Sequence, residues 1–147
     1  MANKSTWALV CSVSRARILR GLEPTVAPRP NDLALRARQA NLRAYVNGRI
    51  GGEWPGAGAE PGPLACLRAD ERIFAAEIAV LLNAHRLAGE FSRLAVISPP
   101  AMLALLRDEF PAGLRRVLEF ELAMDLLREE EADLLRRVTR LVNGGGS

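Results

Sequence analysis

Histidine, cysteine and aromatic residues are scarce in this chain. Its 147 residues hold one His, two Cys, two Trp, one Tyr and four Phe, so aromatics make up 5%. A hydrolytic triad needs a nucleophile, a base and an orienting acid. The single histidine, His85, falls on an apolar helical stripe beside leucines, where a packing role is expected. No Gly-x-Ser-x-Gly elbow surrounds Ser12, Ser14, Ser92 or Ser98. Cys11 and Cys66 form no Cys-x-x-Cys pair, which argues against a zinc site and against a secreted disulfide framework. Phosphate-loop and dinucleotide fingerprints are missing, as are internal repeats. The carboxylate run Glu129-Glu130-Glu131 with Asp133 lies at a helix start, where it suits the helix dipole better than a metal. No metal and no cofactor is expected. The apolar run Trp7–Val13 is too short, and too soon followed by Arg15 and Arg17, to be a secretory signal or a membrane span. A cytoplasmic protein follows as the expectation.

What is present is ordinary globular composition, with 49% hydrophobic and 25% charged residues. This length suffices to enclose one core without metals or disulfides. One domain is expected over residues 1–142, with a flexible tail at 143–147. The net charge is +3, carried almost wholly by arginine. Residues 1–60 hold nine Lys/Arg against four Asp/Glu, and the remainder eleven against thirteen. The basic half suits either a solvated surface or contact with phosphates.

Local patterning predicts the elements. Residues 6–13 read as a central strand apolar on both faces. Ser14-Arg15 turns the chain into a second strand over 16–22, and Pro24, Pro28 and Pro30 break it. Residues 33–46 admit two readings, helix by spacing and propensity or extended chain. Six glycines and three prolines make 47–64 a long loop. Asp70 and Glu71 open a helix carrying Phe74, Ile78, Leu81, Leu82 and His85, with Gly89 as its C-cap. Residues 91–97 form a buried strand, Ser98 caps a proline-started helix, and Pro111 ends it. Over Val117–Leu122 the apolar residues alternate with Glu119 and Glu121, as in a half-exposed strand. Those two carboxylates, about 7 Å apart on one face, suit acid–base work or ion pairs to Arg115 or Arg116. A last helix spans about 129–142. The order implies an α/β domain: a mixed β-sheet with helices packed on its faces.

Four segments then carry a resemblance. Trp7-Ala-Leu-Val-Cys-Ser-Val-Ser-Arg-Ala-Arg-Ile-Leu-Arg20 resembles the opening of the bacterial host-attachment protein family. Phe74-Ala-Ala-Glu-Ile-Ala is similar to that family's central helix. Leu94-Ala-Val-Ile-Ser-Pro-Pro-Ala-Met-Leu-Ala-Leu-Leu-Arg107 resembles its strand running into Pro-Pro and a Leu-rich helix. Glu121-Leu-Ala-Met-Asp-Leu126 resembles its late Glu-x-x-Lys-Asp-Leu motif, with Met124 where lysine is usual. The order matches over nearly the whole chain.

The family resembles in turn the middle domain of archaeo-eukaryotic peptide release factors. That implies a mixed sheet with helices on its faces, and a loop at 47–64 in the place of the release factors' Gly-Gly-Gln loop. Gly51, Gly52 and Glu53 stand there, a charged residue replacing the neutral glutamine. Three functions are compatible with the resemblance. One is a non-enzymatic accessory protein that serves host attachment indirectly, through protein partners. The second is a translation-associated module that binds RNA or the ribosome. Arg36, Arg38, Arg43 and Arg49 are its candidate phosphate contacts, with Tyr45 placed to stack a base. The third is a peptidyl-tRNA or ester hydrolase working through Gly51-Gly52-Glu53. Leucine-rich helices allow a dimer without requiring one.

Overall fold

The run Thr6–Cys11 is apolar at every position but the first, and the computed structural model buries all six residues as strand β1. Residues 5–20, 22, 33–48, 62–127 and 131–143 are described. With no polar face to give to water, β1 must lie inside a sheet covered on both sides. It pairs antiparallel with β2 (Arg15–Leu19) and parallel with β4 (Arg93–Ser98). β3 (Leu33–Arg36) extends the sheet antiparallel beside β2, and β5 (Leu118–Ala123) runs parallel beside β4. The order is β3-β2-β1-β4-β5. This is the mixed sheet expected.

Among the described residues five helices accompany the sheet: α1 (Ala40–Val46), α2 (Pro63–Leu87), α3 (Pro100–Glu109), α4 (Ala112–Val117) and α5 (Glu131–Asn143). Alternation along β1 sends Trp7, Leu9 and Cys11 to one face and Ala8 and Val10 to the other. The first group packs with Phe74, Ile78 and Leu82 of α2 and with Met102 and Leu106 of α3. The second packs with Ile97, Leu126 and the α5 residues Leu134 and Val138. Two cores, one on each face, therefore share a single sheet.

The structure departs from several of these expectations. Residues 33–46 satisfy both readings on different residues, since β3 ends at Arg36 and α1 starts at Ala40. Between them Gln39 takes a left-handed backbone, φ 52, that reverses the chain. α2 begins at Pro63, not at Asp70, because Gly62 stays extended and proline is suited to the first helical turn. The loop expected over 47–64 therefore ends at Gly62. Its residues 49–61, with Arg49, Gly51, Gly52 and Glu53, lie outside the described residues, as do 144–147 of the expected tail and Glu129 and Glu130. Ser98 is not a helix cap. It belongs to β4, its hydroxyl donates to the Pro99 carbonyl (3.0 Å), and Pro99 takes the cap position.

β5 departs from simple alternation as well. Leu94 faces Leu118 while Ala95 faces Phe120, so Glu119 is an extra residue, a bulge. Leu118 consequently packs toward α2 and α3, and Phe120 and Leu122 toward α5. Gly89 does terminate α2. At φ +77 its N–H bonds the Arg86 carbonyl (2.9 Å) and that of Glu90 the His85 carbonyl (3.1 Å), a Schellman arrangement.

Asp70 has a different task from the one its place in the sequence suggests. It is buried in α2, and its two carboxylate oxygens accept the backbone N–H groups of Asn41 (3.0 Å) and Leu42 (2.9 Å). These are early N–H groups of α1, which have no partner inside that helix. α1 has no side-chain cap of its own. A carboxylate from the neighbouring helix supplies it and ties α1 to α2. Asp70→Ala is expected to lower the unfolding free energy in urea by about 2 kcal/mol. Asp70→Asn should lower it less, because the amide oxygen still accepts one N–H. An alanine variant as stable as the wild type would show that α1 does not rely on this carboxylate.

Candidate functional site

The basic stretch divides as it folds. Arg36 closes β3, and the register sets it directly across from Arg15 at the start of β2. Arg17 stands two residues further along β2, facing Ala34. Since Ala16 and Ile18 turn to the α2 core, alternation carries Arg15 and Arg17 to the α5 face of the sheet. There an open cavity of about 450 Å³ is lined by Arg15, Arg17, Ala34, Arg36, Leu127 and Leu134, among others. Its lining combines three arginines with leucine and alanine. Arg38 goes the other way, to Glu77 of α2 (3.3 Å). Arg43 is exposed on α1, two residues from the half-exposed Tyr45. Of the four arginines expected to act together, the described three are thus placed on different elements. Arg36 instead joins Arg15 and Arg17, which the sequence reading left out of the site. The signal for them was Arg-Ala-Arg at strand spacing, with a buried alanine between.

The carboxylates of β5 do not form an acid–base pair. Arg93 Nε donates to Glu119 (2.8 Å) and Arg107 Nε to Glu121 (2.7 Å). The expected partners Arg115 and Arg116 are not used; Arg115 donates to the backbone carbonyl of Arg107 (2.6 Å). Each glutamate is held by its own arginine because the bulge at Glu119 offsets the two along the edge. His85 is half-buried as a packing residue. Its ring lies 5.2 Å from that of Trp7, and Nδ1 is 2.6 Å from a Glu90 oxygen. Trp7 in turn stacks on Phe91 and carries the Arg20 guanidinium over its ring. Among the described residues no three His, Cys, Asp or Glu side chains gather in a way that could hold a metal ion. Asp133 is paired with Arg136. None of the described helices is long and apolar enough to cross a membrane.

The model of a family described as "Protein required for attachment to host cells" matches residues 7–138. No curated protein matches the chain. Among solved structures, an archaeal protein aligns at 15% identity with a TM-score of 0.43, covering 95% of this chain and 38% of its own. An archaeal translation termination factor aligns at 12% identity with a TM-score of 0.45, covering 95% of this chain and 39% of its own. The chain thus spans about two fifths of either neighbour. Both scores fall below 0.5, so the fold rests on the strand order described above.

Cys11 and Cys66 are both buried, free thiols. Burial drives the Cys11 thiol from 9.0 up to about 11, against a lowering hydrogen bond with Ser98 and with a further rise from the Asp125 carboxylate. An unfolded thiol ionises near pH 9, whereas the folded one keeps its proton until about pH 11. Its contribution to stability is whole below pH 9 and is lost as pH rises through 11. Wild-type stability in urea is expected to fall more steeply between pH 9 and 11 than that of Cys11→Ala. Parallel curves would exclude this thiol as the alkaline-sensitive group.

Proposed function

The chain belongs to the family of proteins required for attachment to host cells, and from that premise we propose that it serves attachment indirectly, as a non-enzymatic accessory protein working from the cytoplasm. The observation that carries this reading is the engagement of the reactive side chains. Glu119, Glu121 and His85 each have a structural partner, and the Cys11 thiol is buried and held protonated. What the surface offers is cationic: Arg15, Arg17 and Arg36 around one cavity, and Arg43 nearby in sequence. Such a surface binds rather than reacts. Two free thiols support a reducing compartment.

A translation-associated role has support from the same arginines, because guanidinium groups grip phosphate and Tyr45 offers a face to a base. Two fractionations separate the readings. In intact bacteria the protein should be protected from an impermeant amine-reactive label and from added protease. In a sucrose gradient of lysate it should remain at the top at low and at high salt. Surface labelling in intact cells would overturn indirect action. Co-sedimentation with ribosomes at low salt, stripped at high salt, would favour the translation role instead.

A further inference from the structure

Directly opposed like charges weaken a strand pair, because cross-strand side chains at one register position stand only about 5 Å apart at Cβ. The β2–β3 pair nevertheless sets Arg15 against Arg36, at the edge of the sheet. Neither guanidinium has an anionic side-chain partner among the described residues. Four other arginines do have one: Arg38 with Glu77, Arg93 with Glu119, Arg107 with Glu121 and Arg136 with Asp133. Arg17, already engaged within the protein, flanks the opposed pair on the same face. The strand pair is therefore less stable than a neutral one, and nothing in the packing requires that. An apolar residue at either position would extend the apolar lining already made by Ala34, Leu127 and Leu134.

We propose that this cavity is a binding site for a small organic phosphate, of the size and charge of a nucleoside diphosphate. Two guanidinium groups facing each other across a strand pair present planar, forked donors to one oxyanion. A phosphoryl group placed between them turns mutual repulsion into two charge-assisted contacts, and Arg17 adds positive potential alongside. The leucine and alanine of the lining take the uncharged body of the ligand. A volume of about 450 Å³ matches a small-molecule site and exceeds what a bare phosphate fills. This inference goes beyond the accessory role proposed above and stands apart from it, since an indirect actor can work with or without a ligand here.

The test is titration calorimetry of the full chain with three probes in low salt: ADP, inorganic phosphate and a short single-stranded RNA without a terminal phosphate. ADP should bind saturably at one site, and more tightly than inorganic phosphate. Arg15→Ala and Arg36→Ala should each weaken ADP at least about tenfold, and Arg36→Lys should restore only part of the loss. Arg43→Ala, on α1, should leave ADP binding unchanged. Thermal melting without ligand keeps folding separate from binding: Arg36→Ala should melt no lower than the wild type, since it relieves the opposed charges. Absence of saturable ADP binding would overturn the proposal. So would equal binding by the arginine variants, or binding of the RNA alone, which would return the surface to nucleic-acid contact.

Discussion

β1 has no side that can face water, and the rest of the molecule is arranged to meet that demand. Six consecutive buried residues need a strand on each edge and a packed layer on each face. β2 and β4 supply the edges. α2 and α3 cover the face that carries Trp7, Leu9 and Cys11, while α5 covers Ala8 and Val10. The second cover is the smaller one. Among the described residues α5 packs with Val10, Ile97 and Leu126, and its Leu134 meets the arginines of Arg-Ala-Arg in the cavity at the β2–β3 end of that face.

Charge placement follows the same logic. Buried charge occurs where it satisfies backbone, as when Asp70 takes up two N–H groups at the start of α1. Glu77 of α2 and Glu119 and Glu121 of β5 sit beside exposed arginines, where such pairs add little stability, and on β5 they keep an edge strand charged. Arg15 and Arg36 break this pattern, being cations that face cations. What sets them apart from the other cations on the surface is that they oppose each other at one register position beside a cavity, and an anion from outside the chain would complete that pair.

The architecture was legible in the sequence because its central pieces have strong local signatures. Residues 6–13 read as a doubly buried strand, residues 91–97 as another, and the Pro-Pro step placed the start of α3. Even the undecided stretch 33–46 was undecided for a reason, since it holds a strand and a helix separated by one left-handed glutamine. What failed were inferences that required knowing the neighbours. Asp70 looked like a first-turn acid because acids favour that position, yet its partner lies on another helix 28 residues away in sequence. Ser98 looked like a cap, but the strand claims it. Glu119 and Glu121 seemed to share a face until the bulge separated them. The basic stretch was read as a unit because its arginines are close in sequence. β3 ends at Arg36, so strand alternation no longer governs Arg38, which pairs with Glu77 of α2, and Arg15 becomes a neighbour of Arg36 through pairing alone.

The parallel pairing of β1 with β4 also constrains how the protein is made. Thr6 aligns with Arg93 and Val10 with Ile97, so the most apolar strand leaves the ribosome long before its partner exists. At roughly 5–20 residues per second the interval lasts several seconds. β2 can close one edge early through its short hairpin, but the other edge of β1 stays open until α2 has emerged in full. During that time the nascent chain exposes a bare, wholly hydrophobic strand edge, and its yield in the cell will depend on whether a chaperone or the growing α2 reaches that edge before another chain does.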